Sequence, residues 1–383
     1  MTQHSPIAGY EDWPAHARAA RPWRDPDAGA SDGLRAALAA VLGIPARPEA
    51  TDVRVEHSTV DRGIRTTVLT WWVGFGPRTT AYLVEPDQQR GARVPGILGL
   101  HAHGGRRWIG GEQLVDLGAM ASSEARQAHA GAYDGLAPAD ALARRGYAVL
   151  AHDAFSWGSR RFDLRRPTQK LEAQLAAFDA LTAATGVASS EIERFNRASA
   201  LHEETLAKVA GVLGQSFAGL VLFDDLIAMD VLASLPSVDS SRLGVFGFSG
   251  GGGRSMLLGA LDSRIRSHVV TCMMATFESL MPNYIDVHSW LLHSPGLWNL
   301  TEWPAISEIG SPRSLLVQCG RDDPLFPAEG MDAAHRALEA AHRGTADYRG
   351  VFYDAGHVFN RTMQADAWDF FDATLEHPLP VRS

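Results

Sequence analysis

Apolar residues fall into two rhythms along this chain. The first fifty residues are rich in Pro, Ala and charge. Within them SDGLRAALAAVLGIP carries a helical period that Ser31 or Asp32 can cap and Gly43 with Pro45 can stop. Residues 1–50 therefore read as an N-terminal helical arm ahead of a main domain over 51–383. The strand-like runs VRVEHSTV, RTTVLTWWV and TTAYLVEP come next, separated by turn-forming Gly and Pro. From VPGILGLHAHGG onward the rhythm changes to alternating strand and helix. YAVLAHD, RLGVFGFS, SHVVTC, RSLLVQCG and DYRGVFYD are strands. ADALARRG, FAGLVLFDDLIAMDVLASLP, GGRSMLLGALD, MDAAHRALEAAH and QADAWDFFDATLEH are helices. Continuous apolar strands that alternate with helices imply a parallel sheet covered on both faces. With the antiparallel lead-in, the fold class is α/β with one mixed sheet.

Two segments break the alternation, 106–136 and 160–216. The second has helical periodicity in KLEAQLAAFDALTAATG and SEIERFNRASALHEETLAKVAGVL. Connections of this size inside a compact domain are lids or caps. Both leave the carboxyl ends of strands, the edge where open α/β sheets bind ligands. The insert charges, Glu203 and Glu204 among them, read as a solvated helix face.

Charge and composition narrow the classes. A net charge of −9 lacks the concentrated basic footprint that a nucleic-acid partner needs. Local arginine pairs, Arg106–Arg107, Arg160–Arg161 and Arg165–Arg166, read as solvated or ion-paired surface. Two cysteines, Cys272 and Cys319, end apolar runs and read as small core residues, not a disulfide framework. The N-terminus has no signal pattern and no window offers eighteen apolar residues. The expectation is a cytoplasmic protein without a membrane partner. The arm could pack on a second copy, so a homo-oligomer stays open beside a monomer.

The chemistry centres on LGVFGFSGGGGRS. Gly247-Phe248-Ser249-Gly250-Gly251 is a G-x-S-x-G match that follows a strand and opens a helix, the context this motif requires. The turn is so sharp that residues two before and two after the serine must lack bulk, and Gly247 and Gly251 meet that need. The plain alternative is a capping serine in a glycine-rich turn. A serine hydroxyl needs a base, and the base needs an orienting carboxylate. His357 lies in DAGHVFN, just after the last strand. Asp322 and Asp323 follow the preceding strand at once; the turn favours Asp323, with Asp322 free to cap it. An oxyanion hole takes one N–H from Gly250 and one from an earlier loop, His101-Ala102-His103-Gly104-Gly105, where His103 comes first and Gly104 next. His101 and His103 as H-x-H could also suggest a metal, but no third ligand lies nearby in sequence.

These residues resemble the α/β-hydrolase superfamily, more closely its acetyl xylan esterase-like and dienelactone hydrolase-like branch. The resemblance runs from Val94 to the C-terminus, through GILGLHAHGG, LARRGYAVLAHDAFSWGSR, GVFGFSGGGG, GSPRSLLVQCGRDDPLFP and YDAGHVFN. Gly158 and Arg160 match the family's glycine and arginine after the second of these strands. Ala102 departs from it, where relatives commonly have Gly. The long insert is a second departure. The resemblance implies the α/β-hydrolase fold and ester hydrolysis through Ser249, His357 and the acid, with no metal or organic cofactor.

The expected activity is thus cleavage of a small-molecule carboxylic ester through an acyl-enzyme. The same residues could instead cleave a C–C, amide or carbamate bond, and a non-catalytic binding protein is the remaining alternative. Phe155, Trp157 and Met273 follow strand ends and are candidate substrate contacts, as are Trp290 and Trp298 in PNYIDVHSWLLHSPGLWNLTEWPAI. That aromatic segment reads equally as a pocket wall or as the buried underside of a lid.

Overall fold

The computed structural model describes residues 12–20, 31–46, 51–87, 93–186, 189–281, 283–310, 313–345 and 347–375. Its strands are β1 (Thr51–Asp61), β2 (Ile64–Trp72), β3 (Thr79–Pro86), β4 (Val94–Leu100), β5 (Ala148–His152), β6 (Val238–Phe248), β7 (Ile265–Thr271), β8 (Ser314–Gly320) and β9 (Tyr348–Tyr353). They form one sheet in the order β1-β2-β3-β5-β4-β6-β7-β8-β9. The pairs from β1 to β3, and β3 with β5, are antiparallel. Every pair from β5 to β9 is parallel. The mixed sheet expected from the two rhythms is the one observed. Parallel pairing places the carboxyl ends of β4, β6, β7, β8 and β9 on one edge.

The helices are α1 (Trp13–Ala20), α2 (Ser31–Leu42), α3 (Ser123–Ala132), α4 (Pro138–Ala143), α5 (Gln169–Thr185), α6 (Glu191–Val212), α7 (Phe217–Ser234), α8 (Gly250–Leu261), the single turns α9 (Phe277–Leu280) and α10 (Leu297–Leu300), α11 (Ala328–Ala341) and α12 (Arg361–Leu375). Strand side chains alternate between two cores, as a period of two requires. Leu98, Leu150 and Val245 join α2, α7, α8 and α11 on one face. Ile97, Val149 and Phe246 join α4 and α12 on the other. A helix layer on each face is why the central strands carry long apolar runs. Among the described residues no single helix is long and apolar enough to cross a membrane.

Both interruptions are helical. The first holds a short 3-10 turn, Gly111–Leu114, and α3. The second folds as the hairpin of α5 and α6, joined through Leu171, Leu175 and Ala198. A capping box at Ser190 and Glu193 starts α6. The arginine pairs are not uniformly surface. Arg107 and Arg160 are fully or almost fully buried, while Arg161 and Arg165 are exposed. Arg160 leaves the surface because Asp224 on α7 accepts from its Nε and Nη2 at 3.0 and 3.2 Å, and the carbonyls of Phe75 and Pro77 accept from Nη1.

The N-terminal segment docks on its own chain. Leu38 and Leu42 of α2 are completely buried in the first core. Gly43 ends α2 at φ +63, and the Leu42 carbonyl accepts from both N and Oγ of Ser216, the cap of α7. The side chains of Ser31 and Asp32, the expected caps, lie outside the described residues. Gly219 is required by this docking, since a Cβ there would sit 2.1 Å from the Leu42 oxygen. Helix propensity alone would favour Ala at position 219 by about 1 kcal/mol. The backbone clash outweighs it, so Gly219→Ala should destabilise the protein by roughly 1–3 kcal/mol in urea unfolding. A stabilised variant would refute this account of the α2 contact.

Candidate active site

Ser249 occupies the turn between β6 and α8 with φ 58° and ψ −128°. A non-glycine residue in such backbone carries strain of about 1–3 kcal/mol and persists only where the surroundings fix it. Here they do. Ser249 N donates to Thr271 O at 2.9 Å at the end of β7. A Cβ on Gly247 would lie 2.0 Å from Gly251 O, and one on Gly251 would lie 2.1 Å from Leu100 O. Both glycines that the G-x-S-x-G pattern supplies are therefore sterically required.

The turn lifts Ser249 Oγ to 2.8 Å from His357 Nε2. His357 belongs to the loop after β9, and its Nδ1 lies 2.7 Å from Asp323 Oδ2. An ionised carboxylate only accepts, so Nδ1 carries the proton and Nε2 is left to accept from the serine hydroxyl. Asp323 is buried after β8, and its Oδ1 accepts from Leu325 N at 3.0 Å, which fixes the carboxylate. Phe248 holds the other side of the imidazole, ring centroids 4.8 Å apart. Asp322 is exposed; its N–H donates to Ala355 O and so ties the β8 turn to the histidine loop. The structure brings Ser249, His357 and Asp323 together, and leaves Asp322 outside.

Gly250 opens α8, where the first N–H groups have no acceptor within the helix. The His101–Gly105 loop passes beside it: a Cβ on Gly250 would meet His103 N at 3.3 Å, His103 Cβ at 3.0 Å and Leu291 Cδ1 at 2.9 Å. The His103 and Gly250 backbones are thus adjacent at the serine, and Leu291 closes the site from the cap segment. The loop turns through Gly104 and Gly105, both at positive φ, and Arg106 N donates to His103 O. Its entry is anchored from below. Arg254 on α8 donates to His101 O at 3.0 Å and makes a two-pronged pair with Asp225 of α7, at 2.9 and 2.6 Å. Burial pushes the Asp225 carboxyl up, but Arg254 and His152 together overcome it and bring it down to about 2.

The side chain of His103 has partners of its own. Glu203, read above as part of a solvated face, is buried and reaches down from α6 to His103 Nε2 at 3.2 Å. It also pairs with the buried Arg107 and accepts from Trp290 N at 2.9 Å. Burial, reinforced by Arg107, holds His103 well below the ordinary histidine range, so it is neutral. The missed signal was periodicity: Ser199, Glu203, Leu206 and Ala210 share one stripe of α6, and Ser199, Glu203 and Ala210 are buried.

The candidate substrate contacts are placed differently from one another. Trp157 is fully buried, edge-on to His101 and His103 at 5.3 Å, and supports the loop rather than presenting a face to solvent. Phe155 packs among Phe75, Phe162 and Phe217. Met273 lies buried under α8, and its carbonyl accepts from Trp303 Nε1. Trp290 and Trp298 line a cavity of about 380 Å³ with Trp13 of α1, and Ser249, His103 and His357 are not among its walls. Within this segment Leu291 faces the serine turn, while its neighbours Trp290 and Trp298 line a cavity elsewhere.

Cys272, Asp323 and His357 are the one described group of ligand atoms close enough to share a metal ion. Their chemistry fits one poorly. Asp323 and His357 are bonded to each other, and burial pushes the Cys272 thiol well up, keeping it protonated. His101 and His103 do not converge on a common point: the Nδ1 of His101 contacts Ala102 O, whereas His103 faces Glu203. Cys272 and Cys319 are both free and buried.

A nine-stranded mixed sheet with Ser, Asp and His leaving β6, β8 and β9 on one edge is the α/β-hydrolase fold, which solved structures similar to this chain share. The family model for acetyl xylan esterase (AXE1) matches residues 214–281, which span α7, β6, the serine turn and β7. The protein named "Putative hydrolase YtaP" of Bacillus subtilis (strain 168) is 28% identical over 302 residues, 78% of this chain and 84% of that one. A glucuronoyl esterase from Solibacter usitatus has a similar structure, with TM-score 0.58 at 14% identity, covering 88% of this chain and 91% of that one. An acetyl xylan esterase from Paenibacillus sp. R4 superposes with TM-score 0.54 at 16% identity, covering 94% and 99%.

The two further glycines of the run now separate. A Cβ on Gly252 would lie 2.9 Å from the Thr271 carbonyl, a backbone atom that also receives the Ser249 N–H. A Cβ on Gly253 meets only side chains, Met273 at 3.2 Å and Trp303 at 3.4 Å. Gly253→Ala should therefore be neutral or gain up to about 1 kcal/mol from helix propensity. Gly252→Ala should lose roughly 1–3 kcal/mol through overpacking. Paired chemical-denaturation curves check this, and equal effects of the two changes would contradict it.

Proposed function

We propose that the chain is a serine hydrolase that cleaves a carboxylic ester of a small molecule through an acyl-enzyme. One observation carries this reading: a hydrogen-bonded chain from Asp323 through His357 to a serine held at a helix N-terminus. Asp323 keeps the proton on Nδ1, so Nε2 can take the hydroxyl proton as Ser249 Oγ attacks the ester carbonyl. Charge then develops on the former carbonyl oxygen. The N–H groups of Gly250 and His103 lie at the site where that oxyanion would form, and the N-terminus of α8 favours negative charge there. Imidazolium returns its proton to the leaving alcohol, and the tetrahedral intermediate collapses to an ester of Ser249. Water, deprotonated by the same Nε2, attacks that ester and the acid leaves. No step calls on a metal or an organic cofactor.

The match to the acetyl xylan esterase model and the esterases among the structural relatives support an ester over an amide or C–C bond. Ser249→Ala should lower kcat on a short acyl ester by about a millionfold while the unfolding midpoint stays close to that of the parent. A fluorophosphonate should label the parent at Ser249 and not the variant. Turnover retained in Ser249→Ala would sink the assignment.

The two aspartates are separated by their contacts. Asp323→Asn should cost about ten-thousandfold in kcat, because an amide cannot hold the required tautomer. Asp322→Asn, exposed and without a side-chain role at the histidine, should remain within a few-fold of the parent. The reverse ranking in steady-state assays would exclude Asp323 as the acid.

A further inference from the structure

We propose that Glu203 is a positioning residue for the oxyanion hole, reaching from the inserted hairpin to fix the His103 loop and the cap segment at Trp290 in one geometry. The inference rests on the ester-hydrolase reading above and adds to it a role for the 160–216 insert.

The contacts assign this role to the carboxylate by engaging both of its oxygens. Glu203 Oε1 accepts from Trp290 N, and Oε2 faces both His103 Nε2 and Arg107. Gly105 N donates to His103 Nδ1 at 3.1 Å, so the neutral ring carries its proton on Nε2, which faces Glu203 Oε2 at 3.2 Å with Arg107 Nη2 3.0 Å away on the same side. The imidazole is therefore pinned at both nitrogens, one by its own loop and one by the insert. Since His103 contributes its backbone N–H at the serine, pinning its side chain fixes the direction of that N–H. Trp290 N is the other end of the device. Leu291, the next residue, touches the turn at Gly250, so the same carboxylate sets how closely the cap approaches the serine.

Arg107 makes the burial of this carboxylate tolerable. It lies 3.8 Å above the Trp157 ring, donates to Ser156 and neutralises Glu203. A buried ion pair of this kind adds little to stability compared with apolar packing, but removing one partner leaves the other exposed to the full desolvation cost. That asymmetry predicts different consequences for two substitutions. Glu203→Gln keeps one acceptor oxygen, which serves Trp290 N or the His103–Arg107 side but not both, and loses the charge toward Arg107. Glu203→Ala loses all three contacts.

A merely structural role would lower the number of folded molecules. A positioning role lowers the rate of each folded one. The experiment therefore counts sites by fluorophosphonate titration of Ser249 and reports kcat and KM per titrated site on a short acyl ester. Affinity for phenylboronic acid, which forms a tetrahedral adduct on the serine, is measured alongside. For Glu203→Ala, kcat per site should fall about tenfold to a hundredfold, the scale of a displaced catalytic group. KM should stay within about twofold, boronate affinity should fall in step with kcat, and Glu203→Gln, which keeps one of the two acceptor oxygens, should lie between Glu203→Ala and the parent in both. Unchanged kcat per site and boronate affinity, with only a lower melting temperature or fewer titrated sites, would overturn the proposal. If Glu203→Ala does not fold, Glu203→Gln decides alone: kcat per site and boronate affinity falling together, by less than tenfold, uphold the role, and unchanged values overturn it. A parent protein that neither reacts with fluorophosphonate nor turns over any ester would defeat the ester reading itself, an outcome distinct from either variant result.

Discussion

The molecule depends on a backbone contact that leaves no room for a side chain. Gly251 lies so close to the Leu100 carbonyl that a Cβ would come within 2.1 Å of it. This contact joins the start of α8 to the end of β4, and with it the serine turn to the loop that carries His103. Because the Gly247 and Gly251 backbones also touch, β6, its turn and α8 cannot be separated from β4 without moving all of them. The strained conformation of Ser249 is a consequence. The residue cannot relax while both flanking glycines are wedged and its own N–H is bound to Thr271 O.

Beneath the turn, α7 carries two adjacent aspartates through the interior, and each holds one arginine. Asp224 takes Arg160, at the root of the inserted hairpin, and Asp225 takes Arg254, which in turn holds His101 O. Charges buried this deeply survive because each is met by two hydrogen bonds and a formal opposite charge. The two pairs share one helix, so the base of the cap and the base of the oxyanion loop are referenced to the same rigid element. Glu203 and Arg107 add a third pair above. The serine turn is thus gripped from both sides by ion pairs.

Much of this was readable from the residues alone. The strands from Val94 onward carry continuous apolar runs because helices cover both faces, and that pattern is visible without coordinates. Ser249, Asp323 and His357 each follow a strand directly, so sequence order translates into spatial proximity once the strands are parallel. The stripe of α6 that holds Glu203 marks its face as buried, but its pairing with Arg107 depends on where a long insert lands, which no local pattern encodes. Their neighbours, Glu204 and Arg106, are of the same type and more exposed, so residue type alone could not tell the buried member of each pair. The need for Gly252 was hidden for a related reason: the atom it avoids belongs to β7, nineteen positions along the chain. Trp290 and Trp298 were rightly read as part of an aromatic cluster, yet only coordinates separate the cavity they line from the serine.

The loops that meet at the serine come from the ends of β4, β6, β8 and β9, and the first and last of the residues involved are His103 and His357. Contacts that span so much of the chain form late, since loop closure must come before they stabilise anything. No fragment that stops short of β9 can place an imidazole beside Ser249. Assembly of the hydrogen-bonded chain from Asp323 through His357 to Ser249 is therefore an internal gauge of completed folding: a refolding chain gains helix and sheet signals first, and this geometry only when β9 docks.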